Sequence, residues 1–143
     1  MGKRMSTNMN ELRAAARAAR AAAYAPYSHF TVGAAVETAD GRRFTGANVE
    51  NASYGLTVCA ERTAVFAAVL AGARPIAAVA VTGPDGVTTP PCGACRQVLA
   101  EFGGPDVPLT YARADGGWND TTLGELLPGA FDSASLEASR GIA

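Results

Sequence analysis

An apolar run at residues 76–82 lies between two helical segments, and this order constrains the fold more than any other feature of the sequence. The run is apolar at odd and even positions alike, which predicts a strand buried on both faces. Helices are predicted at 59–71 and 93–102, and another strand at 107–111. Strands that alternate with helices in this way favour an α/β sandwich whose later strands are parallel.

The part of the chain before this run predicts a helix and a hairpin. Residues 10–23 have helical periodicity, with Asn10 as the expected cap and an arginine stripe, defined by Arg13, Arg17 and Arg20, on a face expected to be solvated. Strands are predicted at 31–37 and 42–49, joined by a turn, as an antiparallel edge of the sheet. A short helix is predicted at 123–127. We expect residues 1–9 to form a flexible tail and residues 10–143 a single domain.

Charge and hydropathy narrow the classes of partner. The formal net charge is −1, from 12 basic and 13 acidic residues, so the chain has no basic excess for a nucleic acid. No apolar stretch approaches the roughly 20 residues of a membrane span. The first ten residues lack the apolar core of a signal peptide. The expected location is therefore cytoplasmic, with neither nucleic acid nor membrane as a partner.

Three cysteines form a pattern typical of a metal site. An odd cysteine count without an export signal argues against a disulfide framework. Cys92 and Cys95 are three positions apart at the start of one predicted helix, so their sulfurs can reach one ion, and Cys59 opens another helix. Helix N-termini favour thiolates. Three thiolates without a fourth protein ligand predict a catalytic Zn²⁺ with a position open to water.

Two other uses of these cysteines remain open. A closed structural zinc site would need His29, which is the only histidine and lies before a strand, outside metal-ligand spacing. A CxxC motif alone also occurs in redox sites.

Two charged residues follow Cys59 in the first turn of an apolar helix. Glu61 is the predicted catalytic residue, since a carboxylate beside a metal site can carry protons. Its alternative role is to stabilise the helix dipole. Arg62 opposes that dipole, so we expect it to donate hydrogen bonds to the cysteine thiolates and to balance their charge.

Several motifs resemble those of the cytidine deaminase family. The zinc signature of that family is similar to residues 59–64, Cys-Ala-Glu-Arg-Thr-Ala, and to residues 91–97, Pro-Cys-Gly-Ala-Cys-Arg-Gln. Segments 24–28, 30–35, 48–51 and 125–131 are also similar, and the resemblance extends over about residues 12–131. It implies a three-layer α/β/α sandwich with a mixed five-stranded sheet. It further implies the small homotetrameric class with three cysteines and one Zn²⁺ per subunit.

The resemblance implies a hydrolase of pyrimidine salvage that deaminates cytidine and 2′-deoxycytidine to uridine and 2′-deoxyuridine plus ammonia. Asn48 and Glu50 would then bind a ribose hydroxyl, Phe30 would pack near the base, and the backbone near Ala60 would bind the base edge. Phe131, and in the same way Tyr54, would reach into the site of a neighbouring subunit. The homotetramer would thus complete each active site.

Other deaminases share this zinc chemistry, blasticidin S deaminase or another nucleoside deaminase among them. Glu50 would repel a nearby phosphate and so favours an unphosphorylated nucleoside. The balanced charge argues against a tRNA substrate. From a different class, a non-catalytic interaction module with a structural zinc is the alternative.

Overall fold

Five strands form one mixed sheet in the computed structural model, which describes residues 6–141. They are β1 (Gly33–Thr38), β2 (Arg43–Ala47), β3 (Ile76–Thr82), β4 (Pro108–Ala112) and β5 (Trp118–Thr122). Their order is β2-β1-β3-β4-β5, and β3 and β4 are parallel while the other neighbouring pairs are antiparallel. The mixed five-stranded sheet is confirmed. The expected parallel remainder is wrong beyond one pair, because β5 returns from β4 as a hairpin.

In the part of the chain that the structure describes, five α-helices accompany the sheet: α1 (Met9–Ala19), α2 (Ala60–Leu70), α3 (Gly93–Phe102), α4 (Leu123–Leu126) and α5 (Ser133–Arg140). The sequence-based prediction did not include α5, whose side chains are all exposed. Within residues 6–141, none of these helices combines the length and apolarity needed to cross a membrane.

The start of α1 differs from its prediction. Asn8, not Asn10, is the cap, because its side chain accepts a hydrogen bond from the Glu11 N–H at 3.2 Å. Asn10 lies inside the helix and accepts from Arg13. Helix α1 therefore begins at Met9, the last residue of the predicted tail. Residues 1–5 of that predicted tail lie outside the described residues, as do residues 142–143 of the predicted domain.

Two separate cores lie on the two faces of the sheet, which confirms the three-layer sandwich. Alternate residues of a strand point to opposite faces. On one face, Val36, Val79 and Val81 join a core that includes apolar side chains of α2 and α3. On the other face, alanines of β1 and β3 pack with Leu12 and Ala16 of α1. The candidate site lies on the α2 and α3 side.

The arginine stripe of α1 is not simply solvated, contrary to the prediction. Arg13 donates to Asp120 at 2.5 Å and to the buried Thr110 at 3.2 Å. The guanidinium of Arg17 lies 5.0 Å from the centre of the Trp118 ring, within range of a cation–π contact. The reason for the difference is β5, which brings Trp118 and Asp120 beneath α1.

A close approach between β2 and α2 positions the start of α2. A Cβ atom on Gly46 would lie 2.4 Å from the Ala64 nitrogen and 2.5 Å from the Ala60 oxygen. Only a glycine allows the strand to lie this near to the helix backbone. The hydroxyl of Thr63 also donates to the Ala47 carbonyl at 2.9 Å, so the first turn of α2 is attached to the end of β2.

Candidate active site

The three cysteines converge at the N-termini of two helices. Cys59 is the residue before α2, Cys92 is the residue before α3, and Cys95 is buried in the first turn of α3. The sulfur of Cys92 lies 3.8 Å from that of Cys59 and 3.4 Å from that of Cys95. All three sulfurs are within 4.8 Å of one another, so one ion can contact them together.

The chemistry of this cluster fits a zinc ion. Thiolates are soft ligands that suit Zn²⁺, and the positive ends of α2 and α3 favour the charged form of cysteine. Within residues 6–141, these cysteines are the one group of three or more histidine, cysteine or acidic side chains placed to share a metal. His29 does not join them. The cluster is therefore a three-ligand set that leaves a coordination position for water.

Arg62 lies beside the sulfurs, where its charge favours thiolates. Its guanidinium donates to the Cys59 sulfur at 3.3 Å. The pKa of Cys59 is lowered to about 5, chiefly by a hydrogen bond from Cys95 and also by Arg62. The same contact raises the pKa of Arg62. Arg62 Nε is buried and has no hydrogen-bond partner among the described residues.

Glu61 lies in the first turn of α2 and is only 3% exposed. Burial raises the pKa of this carboxyl, because the charged form loses its hydration. A carboxyl with a raised pKa exchanges protons more readily near neutral pH than an exposed one. Next to a metal site, such a group is suited to carry a proton from water to a substrate.

A cleft of about 250 Å³ opens beside the sulfurs and contains most of the predicted site residues. Glu61, Cys59 and Cys92 line one part of it, and residues of the β1 approach and the segment after β2 line the rest. The lining residues are Ser28, Phe30, Val32, Asn48, Glu50, Thr57, Cys59, Ala60, Glu61, Thr89, Pro90 and Cys92. The size and mixed lining of this cleft suit a small molecule.

Asn48 and Glu50 are both tied to neighbouring segments of the chain. The Asn48 side chain accepts from the Val32 N–H at 2.9 Å and donates to the Phe30 carbonyl at 2.7 Å. Glu50 accepts from the N–H groups of Tyr27 and Ser28 and from the Ser28 hydroxyl. These bonds orient both side chains along the cleft.

Tyr54 and Phe131 are not brought to the cleft of their own chain. Tyr54 is 75% exposed and contacts Tyr27 edge-on, with 6.0 Å between ring centres. Phe131 is 64% exposed, and its carbonyl accepts from Gln97 at 2.8 Å. Their expected role therefore depends on a second subunit.

Ser28 and Thr89 line the cleft although neither was predicted as a site residue. Thr89 packs against Gly83, where a Cβ atom would lie 2.2 Å from the Thr89 oxygen. Ser28 was only part of a segment similar to a family motif. Its partner Glu50 is 22 positions away, so no local pattern indicates the contact.

Comparisons with known proteins agree with this geometry. The model of the cytidine and deoxycytidylate deaminase zinc-binding region matches residues 6–111. A cytidine deaminase of Halalkalibacterium halodurans is 50% identical over 118 residues, which are 82% of this chain and 89% of that protein. One of Mycobacterium tuberculosis is 46% identical over 131 residues, 92% of this chain and 95% of that one. The crystal structure of a cytidine deaminase from Burkholderia pseudomallei has a TM-score of 0.82 and 53% identity, and the match covers 87% of this chain and 100% of the other.

Proposed function

The chain belongs to the zinc-binding cytidine and deoxycytidylate deaminase family, and we propose that it deaminates cytidine and 2′-deoxycytidine to uridine and 2′-deoxyuridine plus ammonia. One observation carries the proposal. A buried carboxyl, Glu61, lies beside a cluster of three cysteine sulfurs in a cleft of small-molecule size. This combination supports a hydrolase rather than a structural zinc module, since a closed structural site needs a fourth ligand.

The roles of the residues follow from their positions. Cys59, Cys92 and Cys95 would hold one Zn²⁺, which supplies Lewis-acid activation of a water molecule. Glu61 would accept one proton from that water and donate it to the ring nitrogen N3 while the water oxygen bonds to C4 of the cytosine. It would then move the remaining proton of that oxygen to the amino group, so that the C4–N bond breaks and ammonia leaves. Arg62 donates to the Cys59 sulfur and offsets the negative charge of the thiolates.

The cleft favours an unphosphorylated nucleoside. Glu50 presents a carboxylate as an acceptor for a ribose hydroxyl and would repel a phosphate group. Asn48 holds the backbone on either side of residue 31, and Phe30 offers its ring to the base. Blasticidin S deaminase chemistry remains the alternative, and turnover of blasticidin S without turnover of cytidine would favour it.

We expect a homotetramer in which neighbouring subunits complete each site. Tyr54 and Phe131 are exposed, as is Leu70 on α2, which is 89% exposed. These side chains are free to be buried against a neighbouring subunit. A monomeric mass in sedimentation would contradict the shared site. Replacement of Phe131 by alanine should raise KM if this side chain enters a neighbouring cleft.

The cytoplasm is the expected location. The three thiols must stay reduced to bind a metal, and the cytosol keeps cysteines in that state.

The decisive experiment compares Glu61→Gln with the unaltered protein. Both should contain one zinc per chain, and both are assayed with cytidine by the ultraviolet absorbance change on conversion to uridine. We expect kcat to fall by about 10²–10⁴-fold in the variant, because the proton carrier is lost. The matched control is Glu137→Gln, at an exposed position of α5. Zinc-loaded protein that leaves cytidine unchanged would overturn the proposal.

A further inference from the structure

Ser28 connects two of the residues that face the cleft. Its hydroxyl donates to one carboxylate oxygen of Glu50, while its oxygen accepts the Phe30 N–H at 3.0 Å. His29 between them has a φ of 57°, in the left-handed region that a residue with a side chain rarely occupies. The Ser28 hydroxyl spans this turn and offsets part of its cost, since a serine side chain commonly stabilises a turn in this way.

The hydrogen bonds around Glu50 determine what kind of substrate group this carboxylate can bind. One carboxylate oxygen accepts from the N–H groups of Tyr27 at 3.0 Å and Ser28 at 3.1 Å. The other oxygen accepts from the Ser28 hydroxyl and keeps one lone pair. The single Ser28 proton is thus used by Glu50, and the Ser28 oxygen is used by Phe30. A group of the substrate that meets Glu50 therefore has to donate a proton.

We infer that Ser28 is a positioning residue for the sugar: it holds Glu50 as a pure acceptor for one free hydroxyl of the nucleoside. This inference rests on the proposed function. It also makes the pair a determinant of specificity, because an esterified or absent hydroxyl at that position offers no proton to Glu50. The Ser28 hydroxyl also lowers the pKa of Glu50, which keeps the carboxylate charged.

The test combines variants of Ser28 with substrates that lack one hydroxyl. Ser28→Ala, Ser28→Thr and the unaltered enzyme are assayed with cytidine, 2′-deoxycytidine and 3′-deoxycytidine, and kcat and KM are measured separately. We expect Ser28→Ala to lower kcat/KM for cytidine by about 10- to 100-fold, mainly through KM, because a hydrogen bond to a charged group is lost. One of the two deoxynucleosides lacks the hydroxyl that meets Glu50. For that substrate, Ser28→Ala should lower kcat/KM by less than about threefold. Ser28→Thr keeps the donor and should stay within about threefold of the unaltered enzyme.

Controls separate positioning from a structural role. Ser139→Ala removes an exposed hydroxyl that donates to a backbone carbonyl in α5, and it should change none of these constants. Ser28→Cys keeps the side-chain size with a weaker donor, and it replaces the alanine variant if that protein is unfolded by circular dichroism. An equal loss on all three substrates, or no loss on any, would overturn the inference. Failure of the unaltered zinc-loaded enzyme to convert cytidine would instead overturn the proposed function.

Discussion

Replacement of Gly46 by alanine should impair the active site although this residue touches neither the sulfurs nor the cleft. The new methyl group would lie 2.4 Å from the Ala64 nitrogen and 2.5 Å from the Ala60 oxygen, about 1 Å short of the 3.4 Å at which ordinary contact begins. Both neighbours are backbone atoms of α2, so relief requires β2 and α2 to separate by about that distance. Overpacking of this kind costs about 1–3 kcal/mol of unfolding free energy.

The larger effect should be on catalysis, because α2 carries Glu61 and begins beside Cys59. A displacement of about 1 Å at a reacting group can cost roughly 10²-fold in rate. We therefore expect kcat/KM for cytidine to fall by about that factor, while the thermal midpoint falls by only about 3–10 °C. Differential scanning calorimetry and the absorbance assay on the same zinc-loaded sample measure both quantities.

The matched control is Gly104→Ala, because a Cβ atom at Gly104 has no neighbour within 4 Å. That variant should match the unaltered protein in both measurements. If Gly46→Ala keeps kcat/KM within twofold, the strand does not position the start of α2, and the reasoning is refuted.

Two further predictions concern arginines. Arg13→Ala should lower the unfolding free energy by about 1–3 kcal/mol in urea denaturation, because the buried Thr110 loses its donor, whereas Arg140→Ala on exposed α5 should change it by less than about 0.5 kcal/mol. Equal effects would show that the contacts of Arg13 with Thr110 and Asp120 contribute nothing. Arg62→Gln should make the protein release zinc at a higher pH on acidification, as measured by chelator competition. The reason is that Cys95 and Arg62 lower the pKa of Cys59 to about 5, and a thiol with a lowered pKa stays charged above that value and is protonated as the pH falls through it. An unchanged release pH would contradict the proposed role of Arg62.

Much of the fold was predictable where local composition is strong. The bounds of β3 and α3 agree with the predicted 76–82 and 93–102, because an uninterrupted apolar run and a pair of glycines that ends a helix are local features. The polar strand β5 has no such signal. Its sequence, Trp-Asn-Asp-Thr-Thr, pairs with β4 because of the hairpin, and the resemblance alone implied a fifth strand. The contacts of the arginine stripe depend on β5, so they could not be predicted from the sequence either.

In the candidate site, too, local features could be predicted from the sequence and contacts between distant segments could not. The convergence of Cys59, Cys92 and Cys95 could be predicted because helix starts and a three-residue spacing restrict where the sulfurs point. The bond between Ser28 and Glu50 joins a loop to the segment after β2, and only the folded chain shows it. The burial of Glu61 follows from its place in the first turn of an apolar helix.

The sulfur cluster also has a consequence for folding, because its ligands are far apart along the chain. Cys59 and Cys92 are 33 positions apart, and the interval between them includes α2 and the central strand β3. An ion that binds both sulfurs in the folded chain, and not in the unfolded one, acts as a removable cross-link across this long loop. Zinc binding and resistance to heat then become one linked equilibrium, in which a higher concentration of free zinc raises the thermal midpoint of the protein.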